Sequence, residues 1–219
     1  MSVDDAKAVE LALSRDRLST YLGMPKARST EQAIRLYVWN AQVSGALMLA
    51  QQVCEVVVRN AVSDALSAVY GNAWPWAAGF ERSLPGSTSG FSLKNELCAA
   101  RSKATPGRTS TVVAELKFAF WIRLFAHRFE SRVWASQIHR MFPGLPQGMS
   151  VTQCRETLYN ELESVRSIRN RIAHHEPIFA RNLLADYERM HRLVAWRCPR
   201  TAAWLENIEA VRHTVLSRP

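Results

Sequence analysis

Cysteine is scarce and scattered in this chain of 219 residues. Cys54, Cys98, Cys154 and Cys198 form no Cys-x-x-Cys pair, which argues against both a zinc cage and a disulfide framework. Each is expected to behave as a small buried hydrophobe. No apolar run reaches the roughly 20 residues of a membrane helix. Residues 1–13 are acidic and mixed in character, unlike a secretory signal. A reducing cytoplasm is therefore the expected compartment, with no membrane partner. Two phosphate and nucleophile signatures are also missing, Gly-x-x-x-x-Gly-Lys and Gly-x-Ser-x-Gly. Gly86, Gly90 and Gly107 sit in loop-like segments with no Lys-Ser/Thr after them. His174-His175-Glu176 lacks the i, i+4 spacing that puts two ligands on one helix face, so no metal and no cofactor are expected.

Acidic residues are outnumbered. Lys and Arg total 28 against 19 Asp and Glu, for a formal charge of +9. Such a balance favours a polyanionic partner. Most of the positive charge is arginine, whose planar fork can bond two phosphate oxygens at once. A hydrophobic content of 47% excludes wholesale disorder and allows a large core.

The apolar periodicity is helical throughout, which predicts an all-α fold: a helical bundle spanning 29–219, preceded by an N-terminal helical appendage at 1–28. Helices are expected at 3–14 and 16–22, the second ending near Gly23-Met24-Pro25. A long helix follows at 30–70, capped by Ser29 or Thr30 and kinked near Gly45. Its apolar residues cover nearly every face, the mark of a central helix. Gly71 and Pro75 end it, and Trp74 and Trp76 pack down beyond. Residues 71–110 read as a loop-rich insertion, with loops at 84–90 and 105–110 around a short helix at 91–104. Further helices are expected at 112–129, 152–173, 181–196 and 201–216.

The stretch with most chemistry is Arg169-Asn170-Arg171-Ile172-Ala173-His174-His175, at the end of the 152–173 helix and just before Pro177. Cleaving RNA without a metal requires a group to take the proton from a ribose 2′-OH and one to protonate the leaving 5′-oxygen. A cation must also stabilise the charge developing on phosphate. Histidine suits the proton transfers and arginine the charge. On an ideal helix Arg169 and His174 lie roughly 140° apart, so they share a face only if the helix unwinds near Ala173. The plainer alternative is a helix end at which Arg, His and Glu cap carbonyls and pair with neighbours.

This stretch resembles the Arg-x4–6-His signature of the HEPN superfamily, with Asn170 as the polar residue after the arginine. More of the chain resembles one branch, the Abi-like proteins of bacterial abortive infection. The matching segments are Arg15 to Leu22, Leu36 to Asn40, Glu55 to Ala61, Tyr70-Gly71 with Trp74, Glu115 to Trp121, and Arg169 to Phe179. The resemblance implies a HEPN-like bundle that forms a homodimer and acts as a metal-independent ribonuclease on cellular or phage RNA. Antiviral or toxin-like roles, sometimes with an antidote or other regulator, go with it. It further implies that Arg169 holds the scissile phosphate, Asn170 orients it and His174 is the acid/base. His175 also satisfies the spacing, and Glu176 adjoins it. A catalytically silent RNA-binding module, perhaps for a small structured RNA, or a toxin–antidote interaction module stays open beside the enzyme.

Glu55, Arg59 and Asn60 form a second group. Glu55 and Arg59 share a helix face and are expected either to pair in the bundle or to line the cleft of Arg169. Arg166 and Arg171 flank the motif as candidate RNA contacts. Lys94, Arg101, Lys103 and Arg108 form a loose basic set in the middle of the chain, suited to a phosphate backbone or simply to a solvated face. Phe118, Phe120, Trp121 and Phe125 are base-stacking candidates that helical spacing equally assigns to the core.

Overall fold

The computed structural model describes residues 1–24, 27–85 and 90–219. Among these residues it is all helical, with no strand. The elements are α1 (Val3–Leu13), α2 (Arg15–Leu22), α3 (Thr30–Tyr70), α4 (Ala78–Ser83), α5 (Leu93–Ser102), α6 (Thr109–Glu115), α7 (Phe118–Arg123), α8 (Ala135–Met141), α9 (Val151–Ala173), α10 (Leu183–Arg197), α11 (Pro199–Ile208) and α12 (Val211–Leu216). The expected break at Pro25 and most of the loop at 84–90, Gly86 included, lie outside the described residues.

Helix α3 is the axle of the bundle. Ser29 caps it by accepting from the Gln32 N–H, and it runs unbroken through Gly45 to Gly71, which takes a positive φ of 85°. Its inward face carries Leu36, Val43, Leu47, Ala50, Cys54, Val58, Val62 and Leu66. These pack against α2, α7, α8, α9, α10 and α12 in one continuous core. The helix is not buried all round: Val38 is 46% and Leu49 38% exposed. Contrary to the count of apolar runs, α3 holds an 18-residue window of mean hydropathy 1.3, long and apolar enough by composition to cross a membrane. Core helices pass the same test, and its packed face joins the bundle.

Residues 1–24 lie along the start of α3. Ala6 and Leu18 pack with Ile34, and Tyr21 enters the main core. Trp74 is buried against Trp121, and Trp76 is half-buried. Phe118, Phe120, Trp121 and Phe125 are all buried, so they belong to the core and present no stacking platform.

The single helix expected at 112–129 is broken. Leu116 and Lys117 are extended, separating α6 from α7, and the chain after Arg123 passes through a tighter 3-10 turn and then a wider π turn. Distant partners take the backbone groups that a continuous helix would have used. Trp134 Nε1 donates to the Leu124 carbonyl at 2.7 Å, and Arg155 Nη1 donates to the Phe125 carbonyl at 2.7 Å. Arg155, only 6% exposed, also bonds Glu130 at 2.8 Å. The helix expected at 201–216 is likewise two, α11 and α12, parted at Glu209-Ala210. There the Glu209 carboxylate accepts from the N–H groups of Val211 and Arg212 and starts a new helix.

Gly144 is held by proximity. Its N–H bonds the Trp196 carbonyl at 2.9 Å, and a Cβ at this position would sit 2.8 Å from the Ala195 carbonyl oxygen. Of the cysteines, Cys54 and Cys154 are buried as expected, whereas Cys98 is exposed and Cys198 half-exposed.

Candidate functional site

Helix α9 delivers the motif. Ser150 and Gln153 form a capping box at its start, and Leu158, Leu162, Val165, Ile168 and Ile172 bury one face at spacings of three and four. Arg169 stands four residues after Val165 and seven after Leu162, so it continues the edge of this stripe, yet near the end of the helix it is exposed. The helix ends in a paired-bond cap. The Glu176 N–H reaches back to the Arg171 carbonyl at 2.8 Å, and the His175 N–H to the Ile172 carbonyl at 2.9 Å. The residue at the centre of such a cap takes a left-handed conformation and is usually glycine. Here it is His175, at φ 56°. The unwinding expected near Ala173 does not occur there: the helix is regular through Ala173, the His174 N–H still bonds the Asn170 carbonyl at 3.0 Å, and only His175 takes the left-handed conformation.

Three other elements fix the turn. Arg17 of α2 donates to the His175 carbonyl at 2.8 Å. Asn40 of α3, buried, accepts the Ile178 N–H at 2.8 Å. Arg218 donates to the Phe179 carbonyl at 3.1 Å. Within the turn, Arg171 donates to the Pro177 carbonyl at 2.9 Å and lies 3.5 Å from Glu176. Arg171 and Glu176 therefore brace the turn, in line with the plainer reading of a helix end.

Arg169 behaves differently. Its Nη1 lies 3.5 Å from Asn170 Oδ1, and among the described residues it has no carboxylate partner. Neighbouring arginines are committed: Arg166 to Glu163 at 2.6 Å, Arg181 to Asp186 at 2.8 Å, and Arg189 and Arg192 to Glu161 at 3.1 and 2.6 Å. His174 and His175 are exposed. An open guanidinium, an amide and two imidazoles thus occupy one helix end.

Beside them lies a cavity of about 330 Å³, lined by Tyr21, Tyr37, Asn40, Ser44, Met48 and His175 among others. Tyr21 stands edge-on to Tyr37 at 5.4 Å and to Phe179 at 5.2 Å. Burial pushes the Tyr21 phenol up to about 12, with nearby Tyr37 adding to the effect and Arg17 opposing it. The Tyr21 hydroxyl is buried and has no hydrogen-bond partner among the described residues. Residues Arg17, Tyr21, Tyr37 and Asn40 fall in segments that carry the family resemblance, but sequence reasoning assigned them no role. No periodicity links α2, α3 and α9; only the packing does.

The second group does not join this site. Glu55 accepts from Gln51 at 2.6 Å, and the expected ion pair with Arg59 does not form. Arg59 and Asn60 line a different cleft, with Arg197 and Thr201. On α3 they stand 11 residues or more beyond Met48 of the tyrosine cavity, roughly 16 Å along the helix. The basic set of the middle region is largely neutralised. Lys94 and Arg101 converge on Glu81 at 3.7 and 2.9 Å, and Lys103 meets Glu115 at 2.7 Å. Arg108 is exposed, with no ion pair among the described residues. Among the described residues, no three His, Cys, Asp or Glu side chains gather as a metal site would require. The chain matches no protein-family model, no curated protein and no solved structure.

Proposed function

We propose that this chain is a metal-independent endoribonuclease of the HEPN type, working in the cytoplasm as an abortive-infection or toxin-like effector. The observation that carries the reading is the open Arg169 guanidinium beside the His174–His175 turn, on a chain whose neighbouring arginines are ion-paired. Arg169 and Asn170 would hold a phosphate of the RNA backbone. His174 would take the proton from the ribose 2′-OH as that oxygen attacks phosphorus. The P–O5′ bond then breaks, and a second imidazole returns a proton to the 5′-oxygen. That second group is His175 or its counterpart in a second copy. The products are a 2′,3′-cyclic phosphate and a 5′-hydroxyl. The tyrosine-lined cavity is of a size and chemistry to take a base next to the scissile bond.

A homodimer belongs to the same proposal. Val38, Gly45 and Leu49 follow one another along an exposed stripe of α3 that borders the cavity. A second copy docking there would bring two Arg169–His174 sets together. The test is cleavage of end-labelled tRNA and of a structured mRNA in EDTA. Wild type is expected to cut. His174→Ala is expected to lose on the order of a hundredfold or more, with its helical spectrum intact. Arg169→Ala should lose both cleavage and binding. If no variant cuts while wild type and His174→Ala shift RNA equally on a gel, the site is an RNA-binding surface and the enzymatic reading falls.

A further inference from the structure

The cleft that holds Arg59 has a chemistry of its own. It lies between α3, α6 and the junction of α10 with α11, with a volume of about 700 Å³. That is the range of small-molecule and cofactor sites. Arg59 is half-buried, and its Nε is shut off from solvent with no hydrogen-bond partner among the described residues. A desolvated guanidinium donor with no acceptor is costly. The other arginine of the cleft is already committed: Arg197 bonds Asp64 at 2.7 Å and the Met141 carbonyl at 3.0 Å. Arg59 is therefore the uncompensated positive charge.

The Asp64 carboxylate also lines the cleft but is paired with Arg197, and hydroxyl donors stand nearby. Ser63 accepts from Trp74 Nε1 at 3.1 Å, which leaves its own proton free for a ligand. Ser110 is exposed on the cleft wall. Thr109 is not available as a donor, because its hydroxyl is spent on the Asn72 carbonyl at 2.7 Å. The ten-residue α11 begins at this wall, where Cys198 and Thr201 line the cleft. Val57 and Val113 add an apolar side.

We infer that this cleft is a second binding site, separate from the α9 turn, for the phosphate monoester of a nucleotide seated on Arg59. The nucleotide is either free or the phosphorylated end of an RNA strand. Terminal phosphate oxygens match the guanidinium fork and the hydroxyl donors, and the valines face the nucleoside. Nothing in this inference depends on whether the α9 turn cleaves RNA.

Cys198 provides the readout. It lines the cleft, and the Thr201 hydroxyl, followed by the N–H groups at the start of α11, holds its thiol below the usual range. Bound phosphate shields the thiol and disfavours the thiolate, so both effects slow alkylation. The experiment measures iodoacetamide labelling of Cys198 by peptide-resolved mass spectrometry, with exposed Cys98 as internal control. The probes are adenosine 5′-monophosphate, adenosine, and 2′-O-methyl hexanucleotides with a 5′-phosphate or a 5′-hydroxyl, which resist attack by a 2′-oxygen.

Phosphate-bearing probes are expected to slow Cys198 labelling and leave Cys98 unchanged. Adenosine and the 5′-hydroxyl strand should have no effect. Protection by the mononucleotide identifies a free nucleotide as ligand, and protection by the strand alone identifies an RNA end. Arg59→Gln should weaken protection by about tenfold to a hundredfold, with Arg59→Lys falling between. Ser110→Glu sets a like charge on the exposed wall without touching the core, and should act as Arg59→Gln does. Absence of protection by every phosphate-bearing probe would overturn the inference. So would equal protection by adenosine, or wild-type protection in both Arg59→Gln and Ser110→Glu.

Discussion

Replacing His175 with glycine should make the protein more stable and less active. His175 sits at φ 56°, in the left-handed region that an L residue enters at a cost of about 1–2 kcal/mol. Glycine removes that cost but adds roughly 0.5–1 kcal/mol of chain entropy to the unfolded state. The net gain is about 0.5–1 kcal/mol, or ~1–4 °C in Tm for a chain of this length. The backbone bonds of the cap do not depend on the side chain. The His175 carbonyl still accepts from Arg17, and its N–H still reaches Ile172. The exposed imidazole contributes to the tyrosine cavity rather than to the core. Urea unfolding followed by circular dichroism, run beside RNA cleavage, separates the two effects. His175→Ala is the control: it keeps the left-handed strain and loses the imidazole, so it should lose as much activity as the glycine variant without becoming more stable. A glycine variant less stable than wild type by a kilocalorie or more would refute the reasoning, because the imidazole would then be a structural tie.

Three further outcomes follow from the packing. Asn40→Leu leaves the buried Ile178 N–H without an acceptor and should cost about 1–3 kcal/mol in denaturant unfolding, whereas Asn40→Asp, which keeps the acceptor oxygen, should cost less. Gly144→Ala forces a methyl against the Ala195 carbonyl, and its Tm should reveal a loss of about 1–3 kcal/mol; an unchanged Tm would mean that the segment shifts freely. Glu130 is held below its ordinary value of 4.5 first by the Arg155 guanidinium and then by the Thr152 hydroxyl. Its contribution to stability is therefore fully present above about pH 4.5 and is lost as pH falls below that value. Glu130→Gln should be less stable than wild type at neutral pH, with the difference shrinking in acid; a constant difference across the range would reject the assignment.

Much of the scaffold is legible where local signals and burial agree. The bounds of α3 follow from Ser29 at one end and Gly71 at the other, and the buried face of α9 follows from Leu158, Leu162, Val165, Ile168 and Ile172. The breaks between α6 and α8 are not legible, because the apolar spacing continues through them. The backbone carbonyls freed there are taken by side-chain donors from farther along the chain, Trp134 to Leu124 and Arg155 to Phe125, that no local pattern encodes. The same division holds at the site. Pro177 signals that α9 must stop, but a histidine in the place of the cap glycine is visible only in the backbone. Glu55 and Arg59 have the spacing of a pair. Gln51 claims the carboxylate instead, which frees Arg59 for the second cleft. Arg17, Tyr21, Tyr37 and Asn40 converge on the α9 turn from helices far away in sequence.

The central claim is that an oxygen of the RNA itself attacks the phosphate, with His174 moving the proton. The most direct test is the chemistry of the ends produced when wild-type protein cuts a defined RNA in EDTA. The account predicts 2′,3′-cyclic phosphate and 5′-hydroxyl termini, no product from a substrate with 2′-O-methyl at the cleavage site, and product formation slowed on the order of a hundredfold or more in His174→Ala. Termini carrying a 5′-phosphate, cleavage of the 2′-O-methyl substrate, or no cleavage of any RNA by the wild-type protein would contradict it.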